Sequence, residues 1–220
     1  MRPTVIVSCA VSLDSYLDDD TPCRLILSGA EDLAAVDELR ANVDAIMVGA
    51  ETIRRDNPSL LIKSKEHQLA RLERGLAAGP AKITWTTSGE IPAEARYFCK
   101  DGARKIVFCC QNTAAKLAAL FGDEVEVVGL AERTFKPAEI LERLASLDIT
   151  KVLLEGGAKT IAEFMKAGCV DQLRVSVAPF FLGKKGGPRL TFDPLNSQGE
   201  RMVLERVEQI GDMAVLWYLA

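Results

Sequence analysis

The chain has a single histidine, His67, and its six cysteines include no Cys-x-x-Cys pair. A zinc site of ordinary composition has nothing to be built from, and no metal is expected. His67 sits in the polar run Lys63-Ser64-Lys65-Glu66-His67-Gln68, the setting of a solvated surface residue. Cys9, Cys99, Cys109 and Cys110 fall in or near apolar, strand-like runs, where cysteine acts as a small hydrophobe. Positive charge is also scarce: 27 Lys and Arg stand against 31 Asp and Glu, a net charge of −4. That balance argues against nucleic acid or an anionic membrane as partner. An anionic ligand must be met by local residues and helix ends. No apolar run approaches the ~20 residues that span a bilayer. Met1-Arg2-Pro3-Thr4-Val5-Ile6-Val7 runs into a strand-like segment without a signal-peptide layout, so a cytoplasmic protein is expected. G-x-G-x-x-G and Walker A patterns are missing. Internal repeats, low-complexity tracts and linkers are missing too, and residues 1–220 read as one domain.

What is present is a regular alternation of strand-like and helix-like segments. Thr4 to Ala10 is apolar and β-branched, the composition of a buried strand. Arg24 to Leu27 is a possible short strand. Ser28 caps a helix with Leu33, Val36 and Leu39 on one face and Glu31 at the capping-box position. Asp44 to Gly49 is a second strand, and Ala50 to Asp56 has room for about two helical turns before Asn57-Pro58 stops them. Further helices are predicted over Lys65–Leu76, Thr113–Phe121 and Pro137–Leu147, and strands over Lys82–Thr86, Lys105–Cys110, Glu124–Val128 and Gln172–Ala178. Pro179 to Pro188 is a Gly-rich loop. Met202–Gln209 and Met213–Leu219 flank Gly211-Asp212, a hairpin turn. The pattern predicts an α/β fold: a mostly parallel central sheet with helices on both faces and a C-terminal antiparallel hairpin.

The most informative stretch is Val152-Leu153-Leu154-Glu155-Gly156-Gly157-Ala158-Lys159-Thr160. A buried strand passes through two glycines into a helix on which Ile161, Phe164 and Met165 recur at helical spacing. Glycines let backbone approach a ligand, and the first N–H groups of the helix can hold phosphate. Glu155 falls at the strand's carboxyl end, where open α/β sheets bind ligands. The same stretch reads also as a tight connection with Glu155 solvated at its edge. Three more features follow strand ends: Ser12-Leu13-Asp14, Gly49 to Asp56, and Thr87-Ser88. Each has a local reading as a turn or a cap.

Taken together, Ser12-Leu13-Asp14, Arg40-Ala41-x-x-Asp44-Ala45-Ile46-x-Val48-Gly49, Thr52, Arg55-Asp56-x-Pro58-x-Leu60 and Leu154-Glu155-Gly156-Gly157 form an ordered set. With Asp171-Gln172-Leu173, Ala178-Pro179 and Leu182-Gly183, it resembles the reductase domain of riboflavin biosynthesis. That domain is fused to a pyrimidine deaminase in many bacteria and stands alone in archaea and some bacteria. The match runs over almost the whole chain, most thinly between Ile62 and Thr150. His-x-Glu with Pro-Cys-x-x-Cys is absent, so the zinc deaminase module is not part of this chain.

The resemblance implies a dihydrofolate-reductase-like fold, a homodimer, and NADPH as cofactor. It implies hydride transfer to C1′ of a ribosylamino-pyrimidine 5′-phosphate, giving the ribitylamino product. It assigns Thr52, Asp56 and Thr87 to the cofactor, with Gly156, Gly157 and the helix start Ala158, Lys159 and Thr160 at its pyrophosphate. It assigns Arg40, Leu60, Lys63 and Glu155 to the substrate. Arg40 and Lys63 suit a ribose phosphate, and Glu155 suits pyrimidine N–H groups. Because a nicotinamide brings its own hydride, the protein has mainly to orient two ligands, and no catalytic acid–base residue is expected. Three departures fall on the substrate side. Ser15 stands where the family often has glycine, and Ser8 where the fused enzymes commonly have lysine. A polar residue expected before the first helix falls at Cys23 or Arg24. These leave open a reductase of another pteridine- or pyrimidine-like substrate, or a non-catalytic nucleotide-binding protein of the same fold.

Overall fold

The computed structural model describes residues 1–19, 21, 25–131, 135–183, 187–190 and 201–220. Among the described residues nine strands form one sheet: β1 (Thr4–Ser12), β2 (Ala45–Met47), β3 (Ala81–Thr86), β4 (Lys105–Cys110), β5 (Glu126–Leu130), β6 (Lys151–Leu154), β7 (Gln172–Ala178), β8 (Val203–Ile210) and β9 (Met213–Leu219). Their order is β5-β4-β3-β2-β6-β1-β7-β9-β8. β1 to β7 are mutually parallel. β9 runs antiparallel to both β7 and β8. The predicted mixed sheet and its terminal hairpin are therefore present. Gly211 supplies the positive φ (59°) that the tight turn between β8 and β9 needs.

Six α-helices among the described residues connect the strands: α1 (Ala30–Ala41), α2 (Ala50–Asp56), α3 (Lys65–Glu73), α4 (Gln111–Phe121), α5 (Pro137–Ala145) and α6 (Ala158–Lys166). Successive strand residues face opposite sides, and both sides are covered. Val5 and Val7 belong to one core with Ile140, Leu144, Ile161 and Phe164 of α5 and α6. Ile6 belongs to a second core with Ile53 and Leu117 of α2 and α4. Burial on both faces explains why the β1 and β6 segments are apolar without alternation.

Two local readings change. α1 begins at Ala30 with Gly29, not Ser28, at its N-cap, and no side chain caps it. Its buried residues are Asp32, Asp37 and Ala41, while Leu33 is 39% exposed. The helix lies along a cleft rather than flat on the sheet, so Leu33 and Val36 become cleft wall. The two buried aspartates are held by partners from elsewhere: Arg174 and Ser176 at Asp32, and the backbone N–H groups of Lys63 and Ser64 at Asp37. Residues 25–27 are not strand. Arg24 and Cys23, where a polar residue was expected, lie outside the described residues. His67 is half-buried, with Nδ1 3.4 Å from Asp37 Oδ2, rather than fully solvated.

Candidate active-site cleft

The strand order reverses around β6, which lies between β2 and β1 although it follows both in sequence. At such a reversal the connecting helices leave a crevice outside the strand ends. A cavity of about 470 Å³ opens there, lined from α1, α2, the β6–α6 turn, the middle of β1 and β7.

Two strand–helix turns meet in its wall. Gly49, between β2 and α2, donates its N–H to the Gly156 carbonyl at 3.1 Å. A Cβ at Gly49 would stand 2.6 Å from Thr160 Oγ1, and one at Gly157 would stand 3.1 Å from Thr52 Oγ1. Gly156 has φ +119°, a region closed to other residues, and its peptide bond to Gly157 is cis. At Gly49 and Gly157 a Cβ would press on the hydroxyls of Thr160 and Thr52, and at Gly156 the positive φ itself calls for glycine. α6 then starts with Gly157 at its N-cap, no capping side chain and no acidic residue in its first turn. The leading N–H groups of a helix with no side-chain cap suit an anionic ligand. Thr52, Asp56, Ala158, Lys159 and Thr160 line the same space.

Glu155 and Arg40 face each other across the other side of the cleft. Arg40 Nε is 2.7 Å from Glu155 Oε1 and Nη2 is 2.6 Å from Oε2, a two-pronged pair. Their side chains are 17% and 13% exposed. Burial pulls the Arg40 pKa down, but Glu155 and Asp37 outweigh it and hold the guanidinium above its ordinary value. Arg40 Nη1 also donates to the Leu61 carbonyl at 2.9 Å, which ties the segment after α2 to the cleft. Cys9 lines the cavity too, but burial pushes its thiol up to about 12, which removes it as a nucleophile.

Nine of the predicted site residues thus converge: Arg40, Thr52, Asp56, Glu155, Gly156, Gly157, Ala158, Lys159 and Thr160. Leu60, Lys63 and Thr87 do not line this cavity. Leu60 is 5% exposed and contributes to a smaller space of about 210 Å³ near Lys82 and Asp101. Lys63 is exposed, with its backbone N–H held by Asp37 at 2.6 Å. Thr87 is exposed just past the end of β3. Ser12 and Asp14 are also outside the cavity and have a structural task. Asp14 accepts from Ser12 Oγ (2.6 Å), Leu182 N (3.1 Å) and Gly183 N (2.8 Å), pinning the chain after β7 to the end of β1. These donors, Ser12 foremost, lower its pKa to about 2.

Sequence reasoning placed Ser8 on the substrate side but missed the rest of the cleft floor. Ser8, Asp32 and Arg174 line it, and Arg174 pairs with Asp32. The usable signal was Arg174 itself, a charge among the buried positions of β7, where Leu173, Val175, Ser176 and Ala178 are uncharged. Arg55 was also passed over as a contact. It donates to the carbonyls of Asp19 (2.8 Å) and Thr21 (3.3 Å) and pairs with Asp18 at 2.9 Å, holding these three residues beside the cleft.

Similarity to known proteins agrees with this geometry. The RibD C-terminal domain model matches residues 3–216. The 2,5-diamino-6-ribosylamino-4(3H)-pyrimidinone 5′-phosphate reductase of Archaeoglobus fulgidus is 31% identical over 212 residues, covering 96% of this chain and 95% of the relative. Its counterpart in Methanothermobacter thermautotrophicus is 29% identical, covering 99% of this chain and 98% of the relative. Among solved structures, a pyrimidine reductase-like protein from Corynebacterium diphtheriae superposes with a TM-score of 0.83 at 19% identity, covering 99% of this chain and 91% of that one. The deaminase/reductase of Thermotoga maritima gives 0.81 at 23% identity, with 99% of this chain matching 56% of that one. The fold is that of the dihydrofolate-reductase-like RibD reductases. With matching sequence over nearly its whole length, the chain belongs to the RibD C-terminal domain family, that of the pyrimidine reductases of riboflavin biosynthesis.

Proposed function

We propose that the protein is an NADPH-dependent reductase that converts a ribosylamino-pyrimidine 5′-phosphate to its ribitylamino product by hydride transfer to C1′. The observation that carries this reading is the joining, in one cleft, of a glycine-walled helix start with a buried Arg–Glu pair. The first suits a dinucleotide, the second a polar heterocycle. The relatives matched over full length are named as reductases of the diamino-ribosylamino-pyrimidinone phosphate.

The residues present fit the cofactor. With glycine at 156 and 157 and no side chain capping α6, the leading N–H groups of that helix are not taken up by a side chain, as a pyrophosphate needs. Gly156, Gly157 and the first turn of α6, Ala158, Lys159 and Thr160, would hold the pyrophosphate, with Thr52 and Asp56 along the remainder and Thr87, exposed after β3, as a further cofactor contact. When bound, NADPH supplies the hydride. On the substrate side Arg40 holds Glu155 in a fixed plane, so the carboxylate is oriented before a ring arrives. Lys63, exposed two residues past the carbonyl that Arg40 grips, supplies a cation for the 5′-phosphate, and Leu60 packs the segment that carries it. As C1′ gains the hydride, its bond to the ribose ring oxygen breaks and that oxygen takes up one proton from water, so the protein's own work is to bind and orient the two ligands.

A homodimer belongs to the same reading, with the edge strand β8 as its contact. Ser8, in place of a lysine, favours a second reading within the enzyme class: a reductase of a different pteridine- or pyrimidine-like ring. An NADPH-oxidation assay with the diamino substrate and with its deaminated counterpart separates these. Turnover of either supports the riboflavin reaction. NADPH binding with turnover of neither moves the assignment to another ring.

A further inference from the structure

We propose that Asp32 is a specificity-determining residue of the cleft, which selects a pyrimidine bearing an amino group rather than a carbonyl at C2 by accepting that N–H at Oδ2. The proposal rests on the reductase reading and extends it to a choice between the two substrates.

Asp32 stands in the first turn of α1 and lines the same cavity as Glu155 and Gly157. It is 1% exposed, as is Arg174. Its Oδ1 accepts from Arg174 Nη2 at 2.5 Å and from Ser176 Oγ at 2.7 Å. Its Oδ2 has no hydrogen-bond partner among the described residues. Burial works against the charge, but Ser28, Ser176 and Arg174 together hold the carboxyl below its ordinary pKa. The Ser28 hydroxyl favours the charged form without closing a bond to Oδ2 in hydrogen-bonding geometry. A charged, buried oxygen left unpaired is costly, and folded proteins keep few of them.

The group is also fixed in place. Arg174 lies in register between Ser8 of β1 and Trp217 of β9. Its Nη1 is 3.4 Å from Ser8 Oγ and its guanidinium carbon 5.8 Å from the Trp217 ring centroid. Oδ1 is thereby anchored, which fixes the orientation of the carboxylate that carries Oδ2. Glu155 differs: Arg40 already engages both of its oxygens. Beside Asp32 on the same helix, Leu33 and Val36 give the cleft an apolar wall. A carboxylate oxygen next to an apolar wall suits the edge of a flat heterocycle whose edge group is a donor. A carbonyl at that edge would set lone pair against lone pair. A ribose hydroxyl could also donate to Oδ2, but the apolar wall favours the ring.

The test compares wild type with Asp32→Asn on the diamino ribosylamino phosphate and on its deaminated counterpart, with NADPH titration alongside. Wild type should prefer the amino ring by about tenfold in kcat/KM. Asp32→Asn should lose most of that preference, chiefly through KM, with NADPH affinity unchanged. An unchanged preference in a folded variant overturns the proposal. So does an equal loss on both rings, the result expected of a ribose contact or a merely structural role. Should Asp32→Asn not fold, Asp32→Glu keeps the charge opposite Arg174 while displacing the acceptor, and the same loss of preference is expected; retained preference overturns the proposal. If wild type reduces neither ring, the reductase reading fails separately. Binding of 2,6-diaminopyrimidin-4-one against 6-aminouracil to wild type, followed by NMR titration, then decides the role of Asp32. Tighter binding of the diamino base supports it, and equal or weaker binding overturns it.

Discussion

Asp56 and Glu155 are two carboxylates of one cleft with different surroundings, and the account gives them different work. Glu155 is clamped by Arg40, so Glu155→Gln both removes a charge and leaves a largely buried guanidinium short of its partner. Charged hydrogen bonds of this kind contribute about 1.5–3 kcal/mol. Catalytic efficiency should fall tenfold or more with NADPH affinity nearly unchanged, and Asp56→Asn should weaken NADPH first. Paired NADPH titrations and steady-state kinetics check this; loss of NADPH binding in the Glu155 variant alone would reverse the assignment. Asp14 makes a separate prediction about acid. Its pKa is depressed from 3.8 to about 2, so its contribution to stability is complete above the unfolded value and disappears as pH falls from 3.8 towards 2. An Asp14→Asn variant should show a shallower loss of stability across that window in acid unfolding followed by circular dichroism. A slope matching wild type would show that the anchor of the loop after β7 is not coupled to folding.

The interlocked turns after β2 and β6 act as a unit. Gly49 and Thr160 come from different connections, yet a Cβ at the first would collide with the hydroxyl of the second. Gly49→Ala should therefore displace Thr160 and weaken NADPH binding, and adding Thr160→Ala should restore part of the loss. A double-mutant cycle measures the coupling; simple additivity would mean that the two turns are independent. Gly157→Asp introduces both bulk against Thr52 and negative charge at the helix start, and should lower cofactor affinity more sharply than Gly49→Ala. These turns were legible in the sequence because glycine next to a strand end states a backbone requirement locally. α1 was not. Its apolar residues looked like a core stripe, and only the placement of Arg174 on β7 and of the Lys63-Ser64 backbone explains why two aspartates, and not Leu33, are buried. Those partners lie 142 and 26 residues away, beyond any local pattern.

For the whole molecule, the alternation of strands and helices was enough to specify the parallel sheet, and the final pair of strands its antiparallel edge. The insertion of β6 between β2 and β1 was not legible, because strand order depends on which crossovers pack and not on composition. That insertion brings residues 40, 52–56 and 155–160 together. The outer edge of the sheet also bears on assembly. Val203, Leu204 and Val207 of β8 are 64%, 51% and 59% exposed, apolar side chains on the edge strand of the sheet, with Leu204 and Val207 on the same face. A second copy covering it is expected, and an obligate contact of this class buries upward of ~2,000 Å². Sedimentation at micromolar concentration should give twice the 23.9 kDa chain mass, and Val207→Glu should shift it towards monomer. A wild-type monomer would contradict this. The central claim is that the cleft reduces C1′ with hydride from NADPH, and isotope transfer tests it most directly. With NADPH deuterated at the transferable nicotinamide position and the diamino ribosylamino phosphate as substrate, the product should carry one deuterium, at C1′ of the ribityl chain. NADPH left unoxidised, or deuterium absent from C1′, would contradict the account.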